Sequence, residues 1–179
     1  MCFISLTGCF GGNDSTVSTG LEWYQGDKFS LQVPASWTVF TDQESLFPQP
    51  SRGEIELVSV SENEKFGWQR NLVVLSDTLE QVTTSTDFSI LEQVQSRSQY
   101  EFYRELENVG IDFNDGEQGK VYVFEARYNR DTPILKYIQV ARVCYPDTVY
   151  VATISVPTEL KKHTQYIDMF KTFTCKQEG

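Results

Sequence analysis

The chain has 179 residues, of which 40% are hydrophobic, and its formal net charge is −10 at pH 7. Because no cluster of lysine and arginine interrupts this acidity, nucleic acids and anionic headgroups are disfavoured as partners. The sequence has no run of 18 apolar residues, the length of a transmembrane helix, and its length predicts one folded domain with a substantial core.

The amino terminus carries Leu6-Thr7-Gly8-Cys9, which resembles the lipobox of bacterial lipoproteins. The resemblance implies that Cys9 is lipidated and becomes the mature amino terminus, with 1–8 as a truncated signal remnant. A chance match is the alternative, because 1–8 is shorter than a full signal peptide and has no positive charge. Small, polar residues predict a flexible tether over 9–20, followed by a single globular domain at 21–179. We therefore expect an extracytoplasmic protein that is lipid-anchored to a bacterial membrane.

The first half of the domain reads as antiparallel strands. Phe29, Leu31 and Val33 alternate with polar residues, and Gly26-Asp27 marks a hairpin turn after 21–25. Further strands are predicted at 37–40, 54–60 and 71–75.

The second half begins with a change to helical period. Ile90 or Leu91, Val94, Phe102 and Leu106 predict a helix over 87–108, capped by Asp87 and stopped at Gly110. Strands follow at 120–128, 134–144 and 149–156, and a closing helix is expected from Pro157-Thr158 to Phe173. The predicted fold class is α+β, an antiparallel β-sheet flanked by helices.

Two segments resemble PsbP-like domains. "FSLQVPASW" is similar to their opening strand and Pro-x-x-Trp junction, and "VYVATISVPTELKKHTQYIDMFKTF" is similar to their last strand and terminal helix. The resemblance implies an α/β/α sandwich over roughly 24–175. It also implies a non-catalytic protein-binding module of the kind found in photosystem extrinsic subunits, a small-GTPase-binding factor and bacterial lipoproteins.

Two cysteines, Cys144 and Cys175, remain once Cys2 and Cys9 are assigned to the leader and the lipid anchor. In an oxidising compartment they predict one disulfide, and two buried free thiols are the alternative. The chain has a single histidine and no C-x-x-C spacing, so no metal site or other cofactor is expected.

No set of residues predicts catalysis, and we expect the protein not to be an enzyme. The only histidine, His163, lies among lysines without a nucleophile motif and is interpreted as a surface residue. The stretch 112–117 does not fit a calcium loop, because Gly116 occupies the fifth position, where an oxygen ligand is required. Glu101, Glu105 and Glu107, with Arg97 and Arg104 among them, predict a solvated helix face.

The aromatic residues are the remaining functional signal. Phe47, Phe66 and Trp68 fall in predicted connections, and exposed aromatic side chains commonly anchor protein interfaces. Phe66 and Trp68 are therefore the predicted partner-binding residues, the alternative being that both rings fold back over the sheet. Trp23 and Trp37 are expected in the core.

The function expected from the sequence is docking on, or assisting, a membrane-proximal protein assembly. A module that binds a small ligand or lipid in a pocket between sheet and helix is the alternative. An extracytoplasmic enzyme is the third possibility.

Overall fold

The computed structural model describes residues 20–40, 50, 52–144 and 147–176. In these residues the chain forms ten strands and two helices, in the order β1 (Leu21–Gln25), β2 (Phe29–Pro34), β3 (Trp37–Phe40), β4 (Glu54–Lys65), β5 (Trp68–Thr78), α1 (Ser85–Gln99), β6 (Glu101–Asp112), β7 (Gln118–Arg127), β8 (Ile134–Cys144), β9 (Thr148–Pro157), α2 (Thr164–Phe170) and β10 (Thr174–Cys175). The predicted leader, the lipobox with Cys9, most of the tether and Phe47 lie outside the described residues.

Two antiparallel sheets make up most of the fold. The larger has seven strands in the order β3-β4-β5-β9-β8-β7-β6, and the smaller has the order β1-β2-β10. Every pairing in both sheets is antiparallel. The fold is therefore α+β and mainly β, which confirms the predicted α+β class with antiparallel strands. The chain forms two sheets where one was predicted.

The main core lies between the two sheets. The alternation predicted for β2 is confirmed, because Phe29, Leu31 and Val33 are all fully buried. The Phe29 ring lies 4.8 Å from the ring of Tyr150 in β9 and 5.0 Å from that of Phe173. Helix α2 closes the same core and buries Tyr166, Ile167, Met169 and Phe170.

A disulfide joins the two sheets. Cys144, the last residue of β8, is bonded to Cys175 in β10, with 5.6 Å between their Cα atoms. The predicted pairing is confirmed, and it braces the small sheet against the large one.

Helix α1 covers part of the opposite face of the large sheet and is shorter than predicted. It begins after Thr84, whose hydroxyl accepts a hydrogen bond from the Asp87 amide, so Thr84 is the N-cap. The helix ends at Gln99, and the predicted second half of the helix, 101–108, is strand β6. Gly110 accordingly lies inside a strand and does not stop a helix.

The buried face of α1 is also not the apolar one that the sequence predicted. The helix buries Ser85, Phe88, Ser89, Gln93 and Ser96. Of its predicted core residues, Ile90 is 40% exposed, Leu91 62% and Val94 59%.

Two serine hydroxyls of α1 bind the edge of β8 where that strand has lost its neighbour β7. Pairing between β7 and β8 ends at Val140, so the next amides of β8 have no neighbouring strand on that side. Ser89 Oγ accepts a hydrogen bond from the Ala141 amide at 3.1 Å, and Ser85 Oγ accepts one from the Val143 amide at 2.8 Å. The two serines replace the missing strand, because buried backbone amides require acceptors.

Two further predictions are corrected by the structure. The closing helix spans only Thr164–Phe170, since 158–163 forms a connection. Trp37 is buried as predicted, but Trp23 is 50% exposed because β1 is the edge strand of the small sheet.

Candidate binding surfaces

Exposed and half-buried aromatic residues gather at one end of the large sheet. We call this surface the aromatic end and define it by Phe66, Trp68, Tyr100, Phe102 and Tyr128. It lies where β5 and β6 begin and β7 and β9 end. Three of its side chains are strongly exposed, Phe66 at 70%, Phe102 at 67% and Tyr128 at 64%.

Phe66 forms the tip of the hairpin between β4 and β5. Lys65 pairs with Trp68, which leaves Phe66 and Gly67 as a two-residue turn with φ angles of 54° and 76°. Positive φ at both central residues is the type I′ pattern, in which asparagine and glycine are preferred. A phenylalanine in this backbone conformation costs roughly 1–2 kcal/mol, and the exposed ring buries little surface in return.

Phe102 has the same unusual conformation near the other side of the sheet. Its φ is 55°, and it lies at an irregularity between Glu101 and Arg104 in the pairing of β6 with β7. The Arg127 guanidinium lies 5.0 Å from the centre of the exposed Phe102 ring.

Trp68 is less exposed than Phe66, the phenylalanine in the preceding turn. Its ring is half-buried against a cluster of side chains on the sheet, and its indole Nε1 donates a hydrogen bond to Ser155 Oγ at 3.1 Å. The structure therefore separates the two predicted partner-binding residues, with Phe66 facing solvent and Trp68 folded over the sheet.

A packed set of aromatic rings supports the aromatic end. The Tyr100 ring lies 5.1 Å from Tyr137 and 5.7 Å from both Phe124 and Tyr128. Burial raises the pKa of Tyr100 to about 12, with a smaller contribution from Tyr128. Sequence reasoning missed Tyr100 and Phe102, because a helix was predicted where a turn and a strand occur. Tyr128 falls at the end of the predicted strand 120–128, whose pattern gave no sign that the ring is exposed.

A cleft lies at the opposite end of the large sheet. We call it the acidic cleft; its volume is about 460 Å³, and it is lined by Asp27, Lys28, Gly53, Glu54, Glu56, Ser76, Asp77, Thr78, Thr148 and Tyr150. These residues come from the β1–β2 turn, the starts of β4 and β9 and the end of β5. No sequence motif could reveal the cleft, because folding assembles it from four distant segments.

Tyr150 lies in the wall of this cleft. The residue is only 2% exposed, and its ring packs against the rings of both Phe29 and Phe173. Burial, together with the smaller effect of the negative charges of Glu56 and Asp27, raises the pKa of Tyr150 to about 12.

The residues considered for catalysis have structural partners. His163 Nε2 lies 2.9 Å from Glu107 Oε2, and the His163 side chain is only 18% exposed. The Asp115 and Glu117 carboxylates, from the stretch tested as a calcium loop, both form ion pairs with the buried guanidinium of Arg142.

The predicted solvated helix face of glutamates is instead part of a strand. Glu101, Glu105 and Glu107 lie in β6, and Glu105 Oε2 accepts hydrogen bonds from Arg97 and Gln93, each at 2.8 Å.

In the part of the chain that the structure describes, no group of three or more acidic, histidine or cysteine residues could hold a metal ion. None of the helices described there is long and apolar enough to cross a membrane.

Comparisons with known proteins identify the fold but no family. No family model and no curated protein matches the chain. A crystal structure of PA94 from Pseudomonas aeruginosa, a protein of unknown function with a suggested regulatory role, is similar with a TM-score of 0.56. It is 12% identical in sequence, and the match covers 88% of this chain and 99% of PA94. At this identity the likeness shows a shared fold alone.

Proposed function

We propose that the chain is a lipid-anchored, extracytoplasmic, non-catalytic binding module that docks on a membrane-associated protein assembly through its aromatic end. The observation that carries this proposal is the placement of Phe66 and Phe102. Both are exposed phenylalanines with positive φ, and both lie at the same end of the large sheet.

Phe66 and Phe102 adopt a backbone conformation whose unfavourable energy the folded structure does not offset. A left-handed backbone is unfavourable for a bulky side chain, and an exposed ring returns almost no hydrophobic stabilisation. Unfavourable backbone conformations that persist without a stabilising role concentrate at functional sites. Aromatic rings are also the side chains that most often dominate binding free energy at protein interfaces.

The chemistry of the surface indicates the kind of partner. The exposed rings require an apolar surface on the partner, and Arg127 beneath Phe102 favours acidic or carbonyl groups beside it. Trp68 and Tyr100, which are half-buried, lie beside the exposed rings. The partner is therefore a protein with an apolar segment flanked by acceptor groups.

The finer fold assignment is part of the same proposal. We infer a PsbP-like α/β/α sandwich from the two matching sequence segments. The first forms β2 and the junction into β3, and the second runs from β9 through α2. The antiparallel sheet with a helix on each face is compatible with this assignment.

The membrane anchor is inferred from the lipobox alone. Cys9 would carry the lipid, and the polar tether would let the folded domain reach its partner. Because each buried lipid methylene contributes about 0.8 kcal/mol, several acyl chains would hold the protein firmly at the membrane. Cys9→Ser should move the protein from the membrane fraction to the soluble fraction, whereas unchanged fractionation would contradict lipidation at Cys9.

The docking proposal is tested by crosslinking in native membranes with the wild-type protein, Phe66→Asn and Phe102→Asn. Asparagine tolerates the left-handed conformation, so each variant removes a ring without disturbing the backbone. Leu21→Gln is the matched control, because Leu21 is 48% exposed and lies on the small sheet. We expect each phenylalanine variant to reduce capture of a stoichiometric partner at least tenfold, with the control unchanged.

Stability measurements separate docking from folding. Phe66→Asn should raise the free energy of unfolding by about 0.5–1 kcal/mol, because it removes the unfavourable backbone conformation. A loss of capture together with this gain in stability supports docking. Equal capture of the partner by the wild-type protein and all variants would contradict docking through the aromatic end. An equal loss of capture in the Leu21→Gln control would contradict it as well.

The alternative of a ligand pocket between sheet and helix remains a hypothesis without a supporting observation. Beneath α1, Phe88 packs against Ala141, Val143 and Val149. The acidic cleft lies elsewhere and has a different chemistry.

A further inference from the structure

Helix α1 turns a mainly polar side toward the large sheet and leaves apolar side chains in solvent. The residues that it buries are Ser85, Phe88, Ser89, Gln93 and Ser96. Three apolar side chains stay outside, with Ile90 40% exposed, Leu91 62% and Val94 59%. A helix that covers a sheet normally buries its apolar stripe, so this arrangement is the reverse of the usual one.

The exposed apolar residues belong to a stripe that ends in opposite charges. Asp87, Ile90, Val94 and Arg97 follow one another at spacings of three, four and three residues, which places them on one face of the helix with Leu91 beside them. Asp87 and Arg97 are both exposed. We call these five residues the α1 ridge. From its first residue to its last, the stripe reads acid, apolar, apolar, base.

Both charges of the ridge keep capacity for a further partner. Asp87 Oδ2 accepts a hydrogen bond from the Thr84 hydroxyl, and within the described residues Asp87 Oδ1 accepts none. Arg97 Nη2 donates to Glu105 Oε2, and the guanidinium lies 5.7 Å from the centre of the Tyr103 ring, yet the Arg97 side chain is 56% exposed. A guanidinium has five N–H donors, so one such bond leaves others available.

The other charged residue of α1 does not take part in the ridge. Glu92 lies on the side of the helix toward the sheet, where it is half-buried. The charges of Arg52 and Asp77 act on its carboxylate there. The charge pattern of the exposed face is therefore that of Asp87 and Arg97.

The ridge is complementary to itself when a second copy of the helix runs in the opposite direction. With a twofold axis beside residue 92, Asp87 meets the second copy's Arg97, and Ile90 meets the second copy's Val94. A twofold interface repeats every such contact, because residue i touches j and j touches i. A parallel arrangement would instead bring Asp87 against Asp87 and Arg97 against Arg97, which is unfavourable.

We propose that the α1 ridge is a self-association surface, on which a second copy of this chain packs its own α1 antiparallel. The apolar side chains of the two copies remove one another from water, and Asp87 pairs with Arg97 at both ends of the contact. The ridge shares no residue with the aromatic end. The inference therefore does not depend on the proposed docking function.

Sedimentation equilibrium of the 179-residue chain tests the proposal. The salt concentration is about 0.15 M, at which a Debye length of about 8 Å screens the repulsion between two copies of net charge −10. Cys2→Ser and Cys9→Ser are included so that these cysteines cannot link two copies. We expect a reversible monomer–dimer equilibrium with a Kd of about 100 μM, since one helix from each copy buries less than the roughly 1,200 Å² of a stable interface.

Ile90→Gln tests the apolar part of the ridge. It should raise the Kd about tenfold, because a twofold contact contains each substitution twice. Ile134→Gln is the matched control, since Ile134 is also 40% exposed but lies in β8, and it should leave the Kd unchanged. Equal effects of the two substitutions would overturn the proposal.

Exchanging the charges tests the antiparallel arrangement itself. Asp87→Lys alone and Arg97→Glu alone should each raise the Kd about tenfold, because like charges then meet at both ends of the contact. An equal mixture of the two variants should associate as strongly as the wild-type chain. In that mixed dimer the introduced lysine meets the introduced glutamate, and the native Arg97 meets the native Asp87.

Two results of these experiments would overturn self-association through the ridge. One is a mixture that associates no better than its separate components. The other is a wild-type chain that stays monomeric at about 1 mM, ten times the expected Kd. A monomer at that concentration would leave the α1 ridge to a different protein.

Discussion

At the residue scale, the pKa values of two buried tyrosines show the effect of their surroundings most directly. Burial raises the pKa of Tyr100 and of Tyr150 to about 12, from an ordinary value of 10.0. A tyrosine with a raised folded-state pKa keeps its proton at a pH where the unfolded chain has lost it. Its contribution to stability is thus complete below pH 10 and is lost as the pH rises to about 12.

We therefore predict that the free energy of unfolding falls between pH 10 and pH 12. Urea unfolding at several pH values measures this, and the ultraviolet absorbance of tyrosinate follows ionisation. Tyr150→Phe should lose less stability over the same interval, which separates the effect from lysine deprotonation. Stability that is constant or rising from pH 10 to 12 would contradict the assigned burial of Tyr100 and Tyr150.

At the element scale, helix α1 shows how polar residues can direct packing. Ser89 Oγ is the acceptor for the buried Ala141 amide, where β8 has no strand beside it. We predict that Ser89→Ala lowers the free energy of unfolding by about 1–3 kcal/mol, because that amide loses its partner. Chemical denaturation measures the change.

Ser98→Ala is the control for this prediction. Ser98 is exposed, and its hydroxyl bonds only within the helix, so its removal should change stability by less than about 0.5 kcal/mol. Equal effects of the two substitutions would mean that the Ser89 contact does not hold the helix in place.

The same helix explains where sequence reasoning succeeded and where it failed. The alternation of apolar and polar residues located β2 correctly, because the buried residues of that strand are apolar. The helical pattern of apolar residues predicted the wrong buried face for α1. A serine that binds a strand edge cannot be told by sequence from a serine that faces solvent. Phe102 and Leu106 then continued the apparent helical period into a strand. The acidic cleft was beyond sequence reasoning, because Asp27 and Tyr150 meet only after the two sheets pack.

At the scale of the whole molecule, the disulfide decides how firmly the two sheets stay together. Cys144 and Cys175 close a loop with a sequence separation of 31. We predict that Cys144→Ser with Cys175→Ser lowers the free energy of unfolding by about 3.5 kcal/mol, mainly through the greater freedom of the unfolded chain. Urea denaturation of both proteins measures the loss.

Reduction of the wild-type protein provides the control for this prediction. If the loss of stability comes only from the missing disulfide, the reduced wild-type protein and the double variant should unfold at the same urea concentration. A double variant as stable as the oxidised protein would contradict any bracing role for Cys144 and Cys175.

The bond between Cys144 and Cys175 also turns part of the chain into a covalent ring. Strand β9, helix α2 and the exposed connection with Lys161 and Lys162 all lie within that ring. A protease that cut between these two lysines would produce two polypeptides but release neither from the other. Such a nicked molecule would gain only the mass of one water molecule and would keep its strand pairing. It would separate into fragments only under reducing, denaturing conditions.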